Sequence, residues 1–158
     1  MKAILPDGTE IQRSHLGQPY HGTSLTPDVV FSQGLAAKGD DRRLLEHVRG
    51  NKVSAFRGTT SAPTVSRQMR QVAAEWAGED GWVYQFDDIA CWDVDKELFG
   101  RVPLPGGLFG DSPHIGECEC AVPGTIPARL IMRAGQVESR YGHLRVVRWQ
   151  DNIQKGKN

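Results

Sequence analysis

Two acids stand two residues apart in Gly116-Glu117-Cys118-Glu119-Cys120-Ala121-Val122-Pro123-Gly124. A pair of carboxylates at short spacing can stabilise a developing cation and take a proton from an attacking group, as in glycoside hydrolysis. The apolar run ending in Pro-Gly reads as a strand, residues 117–122. Side chains alternate along a strand, so Glu117 and Glu119 are expected on one face and Cys118 and Cys120 on the other. Cysteine is often buried, which makes the cysteine face the core face and turns the acids toward a cleft or water. On spacing alone such a pair is more often a solvated strand edge than a catalytic pair.

Other chemistry-bearing residues lie at turns and strand ends. His21 sits in Tyr20-His21-Gly22-Thr23, where it can donate to a hydroxyl or a phosphate, and Gly22 lets a ligand approach the backbone. Gly58-Thr59-Thr60 supplies hydroxyls after an alternating run. Residues 100–116 form a long glycine- and proline-rich loop carrying Phe109, Asp111 and His114, and such loops often serve function. His114, Cys118, Cys120 and Cys91 suggest zinc at first sight. Cys-x-Cys is poor structural-zinc spacing, and a buried thiol is inert as a nucleophile, so no metal is expected. Trp76, Trp82 and Trp149 read as core or rim packing.

These residues need a scaffold, and 158 residues suffice for one domain with a sizeable core. Nineteen Lys and Arg balance nineteen Asp and Glu, so bulk charge points to neither nucleic acid nor membrane. Three cysteines are no disulfide framework, which favours a reducing compartment. No apolar run approaches a membrane span, and the N-terminus is too short in apolar residues for a signal peptide.

Residues 1–18 read as a loosely held lead-in, 19–150 as a single domain and 151–158 as a polar tail. Thr26-Pro27-Asp28 opens a helix that Gly34 ends. A second short helix is expected over 40–48, and a strand over 53–57 followed by a polar turn. The best helix runs from Pro63 to Ala77, with Val65, Met69, Val72, Ala73 and Trp76 at helical spacing. Trp82–Phe86 is a strong strand, and a short helix or turn is expected near 93–96. Further strands are expected over 126–133 and 144–149. Helices early and strands late give an α+β domain.

The order of these motifs resembles the cholera-toxin-like and pierisin-like mono-ADP-ribosyltransferases. Pro19 to Ser24, the helix Thr26-Pro27-Asp28-Val29-Val30-Phe31 and Gly34-Leu35 resemble that family's opening. Asp41 to His47 is similar to its next segment, and Ser54-Ala55-Phe56-Arg57-Gly58-Thr59-Thr60-Ser61 to its Ser-x-Phe-x-Ser-Thr-Thr/Ser strand. Glu117 to Pro127 matches its Glu-x-Glu-x-Ala-x-Pro-Gly-x-Ile-Pro run. The resemblance covers residues 19–132. It departs at His21, where the family has arginine, and at Gly58, where it has serine. His-Gly-Thr is what the diphtheria-toxin and poly-ADP-ribose polymerase branch uses.

The resemblance implies an ADP-ribosyltransferase-like split β-sandwich with short helices around it, and NAD as co-substrate without a metal. It gives Glu119 the nicotinamide ribose and Glu117 the acceptor. Tyr20, His21, Gly22, Thr23, Gly58, Thr59 and Thr60 would bind NAD, and Phe109, Asp111 and His114 would form the acceptor loop. The implied protein is a toxin-type transferase delivered into a target cell's cytoplasm. Its acceptor would be a protein arginine or a nucleic acid such as RNA, with a cognate immunity protein left open. A binding module that has lost transfer activity and an NAD glycohydrolase are the competing readings.

Overall fold

The computed structural model describes residues 1–12, 15–60, 66–111 and 117–154. In chain order the strands are β1 (Ala3–Ile4), β2 (Glu10–Ile11), β3 (His15–Gly17), β4 (Tyr20–Thr23), β5 (Phe56–Thr60), β6 (Trp82–Phe86), β7 (Ile89–Asp93), β8 (Val102–Pro103), β9 (Phe109–Gly110), β10 (Glu119–Pro123), β11 (Ile131–Arg140) and β12 (His143–Asp151). The helices are α1 (Pro27–Gln33), α2 (Leu44–Val48), α3 (Ser66–Ala77) and α4 (Val94–Leu98). Eight strands form the main sheet in the order β12-β11-β6-β4-β5-β10-β7-β3, and all its pairings are antiparallel. The architecture is α+β, as the motif order predicts.

Local chemistry explains most elements. In α1, Pro27 fixes the first turn and Gly34, at φ 74°, ends it. Thr26 caps with its carbonyl, which accepts from Val29 and Val30 N–H, rather than with its hydroxyl. α2 starts at Leu44 and not at Asp40. The Asp41 carboxylate takes the Arg43 N–H and guanidinium, and its backbone bonds across to Val53 and Ala55, so the chain there is bridged rather than coiled. α4 is capped by Asp93 Oδ1, which accepts from Lys96 N–H at 3.1 Å. The start of the helix expected at Pro63 lies outside the described residues.

Several strand expectations are corrected. The turn expected at 58–60 is the second half of β5, because Gly58, Thr59 and Thr60 pair with β10. Tertiary pairing overrides weak strand propensity there. The mixed segment 89–99 begins as β7, and the long loop folds back as the β8–β9 hairpin. β11 and β12 are longer than the sequence suggests, reaching Arg140 and Asp151. The lead-in is anchored: Ala3 and Leu5 are buried with Leu44, Phe56 and Trp92, and β3 pairs with β7. Asn152, at the start of the expected tail, is buried and donates to the carbonyls of Ile131 and Ala128.

Three apolar clusters position the site. One covers both halves of the sheet on the α1 side through Phe31, Leu35, Tyr84, Phe86 and Val122. On the opposite side α3 packs over β4, β6 and β11 through Met69, Ala73, Val83 and Val137. There too α2 and α4 pack over β5, β7 and β10 through Leu44, Val48, Phe56, Trp92 and Leu98. The halves meet at β4 and β5, which pair, among the described residues, only at Tyr20 and Thr60. Beyond that pair the strands part, and a cleft opens between α3 and α2.

Gly22 sets the α3 side of that opening. A Cβ there would strike the Ala73 carbonyl and lie 2.7 Å from Ala77 N. Both obstacles are helix backbone and cannot turn away. Gly22→Ala is therefore expected to lower the melting temperature by at least about 5 °C, measured by circular dichroism. An unchanged melting temperature would show that α3 can lift without cost.

Candidate functional site

The cleft encloses about 280 Å³ and is lined by Tyr20, His21, Gly22 and Thr23 of β4, by Phe56, Arg57, Gly58 and Thr59 of β5, and by Glu117 and Glu119. His47 and Val48 of α2, Ala73 and Trp76 of α3, Lys38 and Gly50 complete it. Both acids thus reach one cleft, but not by strand alternation. β10 begins at Glu119, and Cys118 has a left-handed φ of 51°. That kink breaks the period-two pattern between the acids. It also separates the thiols: Cys118 packs at the α3 cluster, while Cys120 lies in the α1 cluster.

Glu119 is held from the side. Its Oε1 is 3.0 Å from His47 Nε2, and the two side chains are only 15% and 10% exposed. His47 Nδ1 is 2.8 Å from Ser54 Oγ, which in turn accepts from Phe56 N–H at 3.1 Å. A neutral imidazole with its proton on Nε2 satisfies all three contacts, since Ser54 then donates to Nδ1 and Nε2–H donates to the carboxylate. Phe56 packs edge-on against the ring, with centroids 5.5 Å apart. Gly58 leaves the room for this arrangement. A Cβ there would sit 3.1 Å from Glu119 Oε1 and 3.6 Å from His47 Nε2.

His21 bridges the parted strands. Its Nδ1–H donates to the Gly58 carbonyl at 2.6 Å, where a β4–β5 ladder would otherwise use a backbone N–H. Its Nε2 is buried and has no partner among the described residues. Burial, reinforced by the nearby Arg57 and Lys38 charges, lowers the His21 pKa to about 4 against the pull of its bond to Gly58. The ring is neutral at pH 7.

The other expected site residues separate into two groups. Tyr20, Gly22, Thr23 and Gly58 line the cleft. Thr59 also lines it, but its buried hydroxyl donates to the Cys120 carbonyl at 2.8 Å and so ties β5 to β10 beside Glu119. Thr60 stands in register between Tyr20 and Glu119. Phe109 and Asp111 are exposed on and after the β8–β9 hairpin and do not line the cleft, and His114 lies outside the described residues. The spacing argument does not reach His47, Lys38, Arg57 or Trp76. His47 falls within the Asp41–His47 stretch of the resemblance, but its role depends on a partner 72 residues away.

Two outcomes follow from this geometry. A histidine buried neutral adds stability that is fully present above its unfolded pKa of about 6.5 and is lost as pH falls toward 4. The wild type should therefore lose more stability between pH 7 and 4.5 than His21→Gln, as read from urea midpoints at each pH. Parallel profiles would contradict the neutral buried ring. For the carboxylate anchor, His47→Leu strips Glu119 of its donor and should lower stability by about 1–3 kcal/mol, whereas His47→Gln, which keeps an N–H donor, should lose less. Equal losses in a denaturation comparison would argue that the ring acts by packing alone.

No family model matches this chain, and no curated protein matches it in sequence. Solved structures share its fold. It is similar to a guanine-specific ADP-ribosyltransferase at 21% identity and TM-score 0.64, over 89% of this chain and 79% of that one. It is similar to a variant of the Scabin toxin from Streptomyces scabies at 22% identity and TM-score 0.67, over 89% and 76%. A Scabin complex with NADH matches at 21% identity and TM-score 0.64, over 89% and 76%. The chain has the α+β fold of ADP-ribosyltransferase toxins.

Proposed function

We propose that this chain is an NAD-dependent mono-ADP-ribosyltransferase of toxin type. The observation that carries the reading is Glu119, oriented by His47 at the mouth of parted strands and sharing its cleft with Glu117. The shared fold supports it, as does the NADH held by one Scabin structure.

The reaction breaks the bond between the nicotinamide nitrogen and ribose C1′. The bonding pair leaves with nicotinamide, and the ribose becomes oxocarbenium-like. With one Glu119 oxygen held by His47, the other is left to bind a ribose hydroxyl and stabilise that cation. The acceptor's lone pair then closes on C1′, and its proton passes to Glu117. Gly22, bare of a side chain, lets the nicotinamide amide approach the β4 backbone. His21, neutral and fixed by Gly58, offers its second nitrogen as an acceptor for a hydroxyl.

For the acceptor, a guanine-type base is favoured by the fold shared with a guanine-specific ADP-ribosyltransferase and by Trp76. That indole is 62% exposed and lines the cleft, and aromatic rings of this kind stack on bases. A protein arginine is the second reading, favoured by Glu117, because the resemblance places glutamate there in arginine-modifying relatives and glutamine in base-modifying ones. Delivery into a target cell and a cognate immunity protein belong to the same proposal.

Incubation with NAD should release nicotinamide, and Glu119→Gln should cut that release at least about a hundredfold. Glu117→Gln should lower transfer more than it lowers NAD cleavage. Adenylate-labelled NAD in cell lysate, separated into protein and nucleic acid before counting, distinguishes base from arginine. Release without labelled macromolecule would make the chain an NAD glycohydrolase. A folded wild type that releases no nicotinamide would overturn the enzyme reading and leave a binding module.

A further inference from the structure

Besides its acids the cleft carries two cations, Arg57 and Lys38, to which the proposed reaction gives no part. Arg57 is half-buried on β5, and its side chain leaves the strand on the face opposite Gly58 and Phe56, away from Glu119. Among the described residues neither cation has a carboxylate within ion-pair distance. A half-buried guanidinium without an anion bears a desolvation cost that an anionic ligand would offset. Burial already pulls the Arg57 pKa below its usual value.

Both cations are presented by fixed backbone. Leu35 exchanges hydrogen bonds with Ile126 at 2.9 and 2.8 Å. Four residues on, Gly39 N–H donates to Ser54 O and Asp41 N–H to Val53 O, each at 3.0 Å. Between these anchors Arg57 Nε donates to Ala36 O at 2.8 Å. That bond sets the guanidinium plane and holds the segment bearing Lys38, leaving the terminal Arg57 nitrogens for a ligand. His21 beside them is neutral at pH 7, so positive charge in this part of the cleft comes from Arg57 and Lys38.

We infer that Arg57 and Lys38 form a seat for a diphosphate, the anionic centre of the dinucleotide. A planar fork matches phosphate oxygens in pairs, and a flexible ammonium adds a point charge. The inference rests on the NAD reading and adds to it where the charge of NAD is neutralised. Glu119 stands on the Gly58 face, away from this seat, so the same cleft can hold an anion and a ribosyl cation.

The test is titration calorimetry with ADP-ribose and with NAD on the wild type, Arg57→Gln, Arg57→Lys and Lys38→Gln, with nicotinamide inhibition measured alongside. Arg57→Gln should raise the ADP-ribose Kd about tenfold or more, Lys38→Gln less, and Arg57→Lys should fall between Arg57→Gln and wild type. Each charge-removing variant should bind with a shallower salt dependence. The nicotinamide inhibition constant should not move, since that ligand has no phosphate. Lys38 is exposed, so Lys38→Gln keeps the test valid even where Arg57→Gln fails to fold. Wild-type ADP-ribose affinity in folded Arg57→Gln and Lys38→Gln would overturn the seat while nicotinamide release kept the enzyme reading. Weakened ADP-ribose binding without nicotinamide release in any form would do the reverse. A wild type that binds neither ligand would overturn both.

Discussion

The structure depends on strands β4 and β5 pairing at Tyr20–Thr60 and then parting. A continuous ladder would close the sheet and leave no cleft. Parting exposes backbone polar groups that must be satisfied. His21 meets part of that need by giving the Gly58 carbonyl a side-chain donor in place of a strand partner. The halves stay together through the α1 cluster on the far side, where Tyr84, Phe86 and Val122 share one core. The near side is covered by two separate clusters, under α3 and under α2 and α4. The cleft is the seam between them.

That seam explains how charge is arranged in so small a space. Glu119 is largely buried, and its carboxylate keeps a partner there, since the imidazole of His47 donates to it and Ser54 fixes the imidazole. The anchor comes from α2, a helix of five residues whose Leu44, Leu45 and Val48 are buried. Packing of that short helix therefore sets the aim of the carboxylate. Gly58 is required by the same crowding, since its missing side chain is the space that the carboxylate and the ring occupy.

Much of this was legible in the sequence, for identifiable reasons. α1 and β6 are governed by local chemistry, Pro27 and Gly34 in one and an aromatic, β-branched run in the other, and both lie where the pattern puts them. Gly58 to Thr60 looks like a turn because its strand character comes from β10, sixty residues on. The long β11–β12 hairpin extends through polar residues that sheet pairing, not propensity, makes strand. The acids were visible as a pair, but the Cys118 kink that brings them to the cleft is a backbone property that alternation cannot foresee. His47 reads locally as a helix residue among leucines, and its partnership with Glu119 exists only once the chain is folded.

The Cys118 kink also ranks the three thiols by chemical accessibility. Cys91 and Cys120 are buried, and their mutual hydrogen bond, with burial, pushes the Cys120 thiol far above its usual range. Cys118 is the half-buried one, between Glu117 and Glu119 in the chain. A thiol-alkylating reagent therefore meets the residue between the two acids before it meets the core. Single-site labelling of the native domain reports on the kink between the two acids without any engineered cysteine.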